Sequence, residues 1–299
     1  MTKPRISLLN LPQNRAAIVS HPRLWADNRY VYPVISRRSG GLSIGINLNP
    51  DKICNFDCIY CSVNRKIPGD HLPIDIHVLA SELAAMLDAV VSGELFTHEP
   101  FSGVSAELRR LNDIAFSGDG EPTSCPDLSA CFRIAKAALD DRRMAGVKIV
   151  LITNATLLRR PAVTAALNFL DACHAEIWAK LDAGTDNYYR LVNRTSIPLD
   201  RVLENISHCA TIRPIVIQSL FMRIHGIVPP VEEIDAYGQR LAAILQKGGR
   251  LKRVQIYTVA REPAESFATP LMADELDAIA KQTRKILSPW PAVTVEVFP

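Results

Sequence analysis

From residue 42 onward, apolar runs of strand length alternate with stripes of helical period. Leu42-Ser43-Ile44-Gly45-Ile46-Asn47-Leu48 alternates apolar and polar, the period of a half-buried strand. Residues 79–92 then place Leu79, Leu83, Met86, Leu87, Val90 and Val91 on one helical stripe. Residues 93–110 lack a period and read as an insertion. A second strand is predicted at 111–117, with a helix from Pro126 to Leu139, its proline in a permitted first-turn position. The third strand is 148–152, followed by Thr153, Asn154 and a helix at 161–170. The fourth runs from Ala175 to Leu181 and ends at Asp182; its helix, 199–210, carries Leu199, Leu203 and Ile206. Strand 215–222 pairs with helix 231–246, strand 253–259 with helix 273–287, and 293–297 is a last strand candidate. Residues 1–40 show no clear period. Trp25, Tyr30 and Tyr32 are interleaved there with prolines and charges, so 1–40 reads as an irregular N-terminal extension packed on a core domain, 41–299.

Six strand–helix units without a domain-sized linker predict one parallel α/β domain. An open doubly wound sheet and a barrel-like curve share this periodicity. Polar residues collect where the predicted strands end: Asp119 and Glu121, Thr153 and Asn154, Lys180 and Asp182, Gln218, and Arg261. In a barrel-like fold those ends share one face, where a pocket with a few convergent polar groups forms.

Composition narrows the class. With 299 residues, 48% of them hydrophobic, the chain can bury a large core, so no metal is needed merely to staple the fold. A net charge of +3 says little about partners. The arginine pairs at 37–38, 109–110, 142–143 and 159–160, and the basic run at Lys247, Arg250, Lys252 and Arg253, read as solvated surface. No signal peptide is visible, no apolar run approaches the roughly 20 residues of a membrane helix, and a reducing cytoplasm is the expected compartment.

The cysteines carry the chemistry. Cys54, Cys58 and Cys61 stand at C-x3-C-x2-C spacing just after the first core strand. Thiolates are soft ligands that select iron–sulfur clusters, zinc or copper(I). A cubane cluster normally takes four cysteines, so three would leave one iron open for a cofactor or substrate. Zinc could instead take the three cysteines with a distant fourth ligand such as His71, although a second ligand pair at zinc-site spacing is missing. An odd number of clustered cysteines makes a poor disulfide framework. Cys125, Cys131, Cys173 and Cys209 sit in apolar stretches and read as small buried hydrophobes, with Cys125 also a candidate near a substrate.

The triplet resembles the cluster motif of the radical S-adenosylmethionine (SAM) superfamily. A second segment, Ser117-Gly118-Asp119-Gly120-Glu121-Pro122-Thr123, is similar to that superfamily's Gly-Gly-Glu-Pro motif, with Asp119 in place of the first glycine. The resemblance implies a partial (β/α)6 TIM-like barrel, one [4Fe-4S] cluster held by Cys54, Cys58 and Cys61, and SAM as cofactor. It further implies that electron transfer to SAM breaks the C5′–S bond and that the 5′-deoxyadenosyl radical abstracts a substrate hydrogen. Glu121, or the backbone from Gly118 through Asp119 and Gly120, would accept from the SAM amino group; Tyr60 would offer backbone groups to the adenine. Lys180 and Asp182 are candidates for the SAM ribose or the substrate, or form a structural ion pair. Glu121 and Pro122 could instead simply cap the helix that follows, and Asn154 could make only a turn. Gln218, a lone polar residue in an apolar strand, is expected to face the pocket, the alternative being that a neighbour satisfies it.

Three further segments are similar to radical SAM proteins related to the tRNA wyosine (wybutosine-synthesis) enzymes: Tyr32 to Arg38; Ala179-Lys180-Leu181-Asp182-Ala183-Gly184 with Asn193-Arg194; and Tyr257 to Glu265. Those enzymes are expected to hold a second cluster on extra N-terminal cysteines. Residues 1–53 contain none and no cysteine follows 209, a departure that counts against wyosine synthesis itself and implies a single cluster. The substrate stays open, an RNA or a partner enzyme, and a reductase or a flavodoxin- or ferredoxin-type protein is the expected electron donor. The alternatives are a tRNA-modifying enzyme of wyosine type and a zinc-stabilised nucleic-acid-binding module.

Overall fold

The structure, a computed structural model, describes residues 11–19, 23 and 25–299. Residues 1–10, 20–22 and 24 of the expected extension lie outside the described residues. In chain order the regular elements begin with α1 (Pro12–Val19), β1 (Val31–Ser36), β2 (Gly41–Ile46), α2 (Ile76–Ser92), β3 (Leu111–Phe116), α3 (Leu128–Asp141) and β4 (Lys148–Thr153). They continue with α4 (Pro161–Asp171), β5 (Ala175–Lys180), α5 (Asp186–Asn193), α6 (Leu199–Ile212), β6 (Ile215–Leu220) and β7 (Arg223–Ile224). The last are α7 (Val231–Gln246), β8 (Leu251–Tyr257), β9 (Ala268–Thr269), α8 (Ala273–Ile286) and β10 (Thr294–Phe298). Eight strands are hydrogen-bonded in the order β1-β2-β3-β4-β5-β6-β8-β10, and β7 pairs with β9. The insertion at 93–110 contains two short 3-10 turns, Glu94–Thr97 and Ala106–Leu108.

Contacts divide the chain into two compact units: Met1–Ile53, Pro68–Leu151 and Ala162–Glu176 form one, and Cys54–Ile67, Ile152–Pro161 and Ile177–Pro299 the other.

In the first unit, β1 runs antiparallel to β2, with Val31 opposite Ile46 and Ser36 opposite Gly41. Residues 31–36, expected within an irregular extension, form this strand. Pro33 interrupts the alternation there, and a proline is tolerated on an edge strand such as this one. Gly45 has to be glycine, because a Cβ on it would lie 2.2 Å from the Tyr32 ring. That ring is thereby positioned to donate from its hydroxyl to the Ser117 carbonyl at 2.9 Å. β2 and β3 are parallel, as are β3 and β4.

Helix α2 starts three residues before its apolar stripe because cap chemistry sets its end. The Asp75 carboxylate accepts from the backbone N–H groups of His77 and Val78. Gly93, at φ +82°, closes the other end in the left-handed region. Helix α3 begins at Leu128 rather than Pro126, since its first helical bond runs from Cys131 N–H to the Asp127 carbonyl. Glu82 of α2 clamps the entry to β1, its carboxylate accepting from the N–H groups of Arg29 (2.7 Å), Tyr30 (2.9 Å) and Val31 (3.1 Å).

In the second unit, β5, β6, β8 and β10 are parallel neighbours. Lys180 lies opposite Gln218, and Gln218 opposite Gln255, so the three side chains leave one side of the sheet in a lateral row. Helix α5 was not anticipated. Eight mostly polar residues carry little intrinsic helical stability, and tertiary contacts hold the helix. The Thr185 hydroxyl caps its start, accepting from Tyr188 N–H, and Arg194 at φ +45° caps its end. The buried Glu233 carboxylate accepts from the N–H groups of Gly184 and Thr185 and fixes the turn leading into α5. Burial pushes its pKa up, with the Thr185 and Gly184 hydrogen bonds acting in the opposite direction. No helix among the described residues is long and apolar enough to cross a membrane.

Removing the Glu82 clamp strands three backbone donors at the entry to β1. Glu82→Ala is expected to lower the unfolding free energy by about 1–3 kcal/mol, read from urea denaturation. A change within about 0.5 kcal/mol, the scatter of ordinary surface substitutions, would refute the clamp.

Candidate cluster and cofactor site

All three clustered cysteines lie in the second unit, in a loop without regular structure. Ile59, fully buried, anchors the loop in an apolar cluster with Val192, Leu220, Met222, Tyr257, Val259 and Ala268. Burying one such side chain contributes roughly 1.5–3 kcal/mol, less than ordering the backbone of this loop at about 1–2 kcal/mol per residue. Backbone bonds supply the rest. The C-terminal carbonyls of α5 accept from the loop, Asn193 from Asp57 N–H and Val192 from Ile59 N–H, both at 3.0 Å. On the other side Ala264 N–H donates to the Cys61 carbonyl at 2.6 Å and Glu265 N–H to the Ile59 carbonyl at 3.2 Å. Arg194 ties the two sides together, 2.5 Å from Glu265 and 3.9 Å from Asp57.

Each cysteine sulfur meets nitrogen donors. Asn193 Nδ2 lies 3.4 Å from Cys58 Sγ, and Arg65 Nη1 lies 3.7 Å from Cys61 Sγ. Phe56 N and Asn154 Nδ2 lie 3.5 Å and 3.9 Å from Cys54 Sγ. Asn154 does two things at once. Its Oδ1 accepts from Thr156 in an Asx turn, and its Nδ2 donates to Asn55 Oδ1 at 2.6 Å. Asn55 returns a bond to Thr156 Oγ1 at 2.7 Å. The turn carries Ala155 at φ +65°, a strained position for a residue with a Cβ. Buried Asn205 of α6 holds it through bonds to the Ala155 and Thr156 carbonyls at 3.0 and 2.8 Å.

Behind the loop sits a buried polar network centred on Asp182, which is 2% exposed. Its Oδ1 accepts from Leu220 N–H at 2.9 Å and lies 3.3 Å from Lys180 Nζ. Its Oδ2 accepts from the Tyr60 hydroxyl at 2.5 Å and from Asn193 Nδ2 at 3.2 Å. Lys180 Nζ also donates to the Tyr257 hydroxyl at 2.8 Å and lies over the rings of Tyr60 and Tyr257. Burial acts to lower the Lys180 pKa, but Asp182 and Tyr257 outweigh it and the ammonium form is held. Burial, reinforced by Asp182, raises the Tyr60 hydroxyl. Burial and then Asp182 push the free Cys58 thiol up to about 12, with Tyr60 and Asn193 hydrogen bonds opposing. Gln218 is satisfied by its neighbour, donating from Nε2 to Gln255 Oε1 at 3.2 Å; Gln255 Nε2 is itself buried without an acceptor.

Gly118, Asp119, Gly120 and Glu121 belong to the first unit. The two glycines answer to close packing: a Cβ on Gly118 would lie 2.3 Å from Asn47 Oδ1, and one on Gly120 would lie 2.1 Å from the Ile53 carbonyl. Asp119 bonds Arg23 at 2.6 Å and Asn47 Nδ2 at 2.8 Å. The buried Glu121 carboxylate caps the short turn Pro122–Ser124, accepting from Thr123 N–H at 3.1 Å and from its hydroxyl. Cys125 is also in this unit and buried. Cys131 and Cys209 are buried and Cys173 half-buried. His71 is exposed, and among the described residues no group of three or more His, Cys, Asp or Glu could hold a single metal ion.

Comparison with known proteins now decides the family. The family model described as the Radical SAM superfamily matches residues 48–227, more than half of the chain. The chain belongs to the radical SAM superfamily. Its members use a [4Fe-4S] cluster and SAM. A UPF0026 protein of Helicobacter pylori is 26% identical over 246 residues, covering 82% of this chain and 70% of that protein. A radical SAM methyltransferase from Sphaerobacter thermophilus superposes with a TM-score of 0.57 at 13% identity, covering 89% of this chain and 69% of that one. SuiB of Streptococcus suis, solved with its precursor peptide SuiA, gives 0.55 at 11% identity, covering 84% of this chain. The chain spans about half, 48%, of SuiB's length. At these identities the likeness shows the fold alone, the α/β partial (β/α)6 barrel.

The radical SAM loop has the chemistry a thiolate-held cluster requires. Its three cysteines are free thiols, half-buried, with N–H groups at the sulfurs to stabilise negative charge. Asn193 Oδ1 and Arg65 Nε beside them are buried without partners. Sequence reasoning missed the roles of Asn55, Asn193, Asn205, Gln255 and Tyr257. The available signal was a polar residue on a buried stripe, as Asn205 stands beside Val202 and Ile206.

Asp182→Ala leaves the Lys180 ammonium buried and uncompensated, an expected loss of about 3–5 kcal/mol. Lys180→Met in the same chain is expected to return part of it. Equilibrium denaturation of the single and double variants reads both values, and a single-variant loss below about 1 kcal/mol, the ceiling of an exposed pair, would contradict the network.

Proposed function

We propose that this chain is a radical SAM enzyme in which Cys54, Cys58 and Cys61 hold one [4Fe-4S] cluster. The observation that carries the reading is the seating of the cysteine loop, stitched between the end of α5 and residues 264–265 with a nitrogen donor at every sulfur. When bound, the cluster and SAM supply an electron and a 5′-deoxyadenosyl radical that takes hydrogen from the substrate.

The chain's own residues bind and orient. Cys54, Cys58 and Cys61 would hold the cluster through three thiolates, which would leave one iron open to SAM. Glu121 and the backbone from Gly118 to Gly120 are assigned to the SAM amino group, and the backbone of Tyr60 to its adenine. Asp182 and Lys180 set the charge behind the loop, Asp182 orienting Tyr60 and Asn193. Lys180 is held as an ammonium by Asp182 and Tyr257, which suits a fixed positive charge and not a free base. Asn154 supports Cys54, and Gln218 is held by Gln255. The proposed substrate is an RNA or a partner enzyme, the electron donor a reductase or a flavodoxin- or ferredoxin-type protein, and the compartment the cytoplasm.

Anaerobic reconstitution with iron and sulfide, reduction, addition of SAM and mass spectrometry of the products test the reading. Release of 5′-deoxyadenosine is expected, with its loss and the loss of the cluster in Cys58→Ala. A full cluster retained in that variant, or zinc without sulfide in the purified protein, would sink the assignment.

A further inference from the structure

We propose that Asn193 sets the reduction potential of the cluster by donating an N–H bond to the sulfur of Cys58. The inference rests on the reading that Cys58 is a cluster ligand. Asn193 is the last residue of α5 and is 1% exposed. Its Nδ2 has two hydrogens and faces two acceptors, Cys58 Sγ at 3.4 Å and Asp182 Oδ2 at 3.2 Å. The opposite amide orientation would turn Oδ1 against a carboxylate and a sulfur, so these partners fix which end is the donor. Oδ1 is left buried without a donor.

The donor cannot easily swing away. Asp182 is pinned by Leu220, Tyr60 and Lys180, and the backbone carbonyl of Asn193 accepts from Asp57 N–H within the cysteine loop. Helix end, amide and loop therefore move as one piece. A hydrogen bond to a ligand sulfur stabilises negative charge, and the reduced cluster carries one more negative charge than the oxidised one. The bond accordingly favours reduction, and its loss lowers the potential. Burial strengthens the effect, because no water takes the place of the lost donor. Of the side-chain donors at the three sulfurs, Asn193 has the shortest contact; Arg65 and Asn154 stand at 3.7 and 3.9 Å.

The test is an anaerobic redox titration of the reconstituted full chain, followed by the electron paramagnetic resonance of the reduced cluster, for wild type, Asn193→Ala, Asn193→Ser and the isosteric Asn193→Asp. Iron and sulfide content is measured on each sample. The expected result is an unchanged cluster content with at least a tenfold loss in the reduced-to-oxidised ratio at fixed potential in Asn193→Ala, about 59 mV for a one-electron couple. Asn193→Asp, which replaces the donor with an acceptor, is expected to fall further and Asn193→Ser less. Equal midpoints at equal cluster content would overturn the inference. So would loss of the cluster from all three variants, which would make Asn193 a purely structural residue. Failure of the underlying reading looks different: the wild type holds no cluster, or Cys58→Ala keeps a full one.

Discussion

Asp182 is a carboxylate buried where water cannot reach it, and the cost of burying it beside Lys180 is offset because every lone-pair direction is used. Its four partners come from four places: Lys180 two residues away, Leu220 on β6 at a separation of 38, Asn193 on α5, and Tyr60, 122 residues earlier in the cysteine loop. A buried charge of this kind costs several kcal/mol if any one segment is misplaced. The requirement to satisfy it therefore specifies where the loop, the helix end and the strand end must be. Lys180 carries the compensating charge, and the rings of Tyr60 and Tyr257 flank the ammonium as a second source of favourable electrostatics.

The loop itself has almost no local means of holding its shape. It has one apolar anchor, Ile59, and takes its backbone partners from α5 on one side and from residues 264–265 on the other. Helix α5 is short and polar, so loop and helix depend on each other: the free carbonyls at the helix end are the acceptors that the loop's N–H groups need. The same seam delivers Asn193 to Cys58. In this way the order that fixes the cysteines also brings a donor to their sulfur.

In the first unit the constraint is steric. Gly118 and Gly120 are squeezed against Asn47 and Ile53, while Asp119 between them keeps ordinary backbone angles and turns its carboxylate toward Arg23 and Asn47. That explains why this chain can place Asp119 where the related motif has a glycine. No left-handed conformation is demanded there, and the added side chain finds two partners. Glu121 sits in the same turn as a cap, so a carboxylate is already held in a fixed orientation by Thr123.

Periodicity was enough for the alternating β/α elements from 41 to 299, because each strand and each long helix shows its buried face in its own residues. It missed β1, whose Pro33 breaks the pattern, and β7 and β9, whose two residues each are too few to carry a period. It also missed α5, which exists because the loop and Glu233 hold its ends. The spacing of Cys54, Cys58 and Cys61 pointed to soft-metal ligand chemistry without any structure, since three thiolates close in sequence can be presented together by one loop. What the sequence could not express was which distant polar residues would surround those cysteines. Gln255 is unremarkable along the chain, Asn193 and Tyr257 stand in segments that name no partner for them, and Lys180 and Asp182 read as a structural ion pair or as a site. Only the tertiary structure supplies those neighbours, because hydrogen bonding to a buried sulfur or carboxylate depends on distances across strands and helix ends that no local pattern encodes.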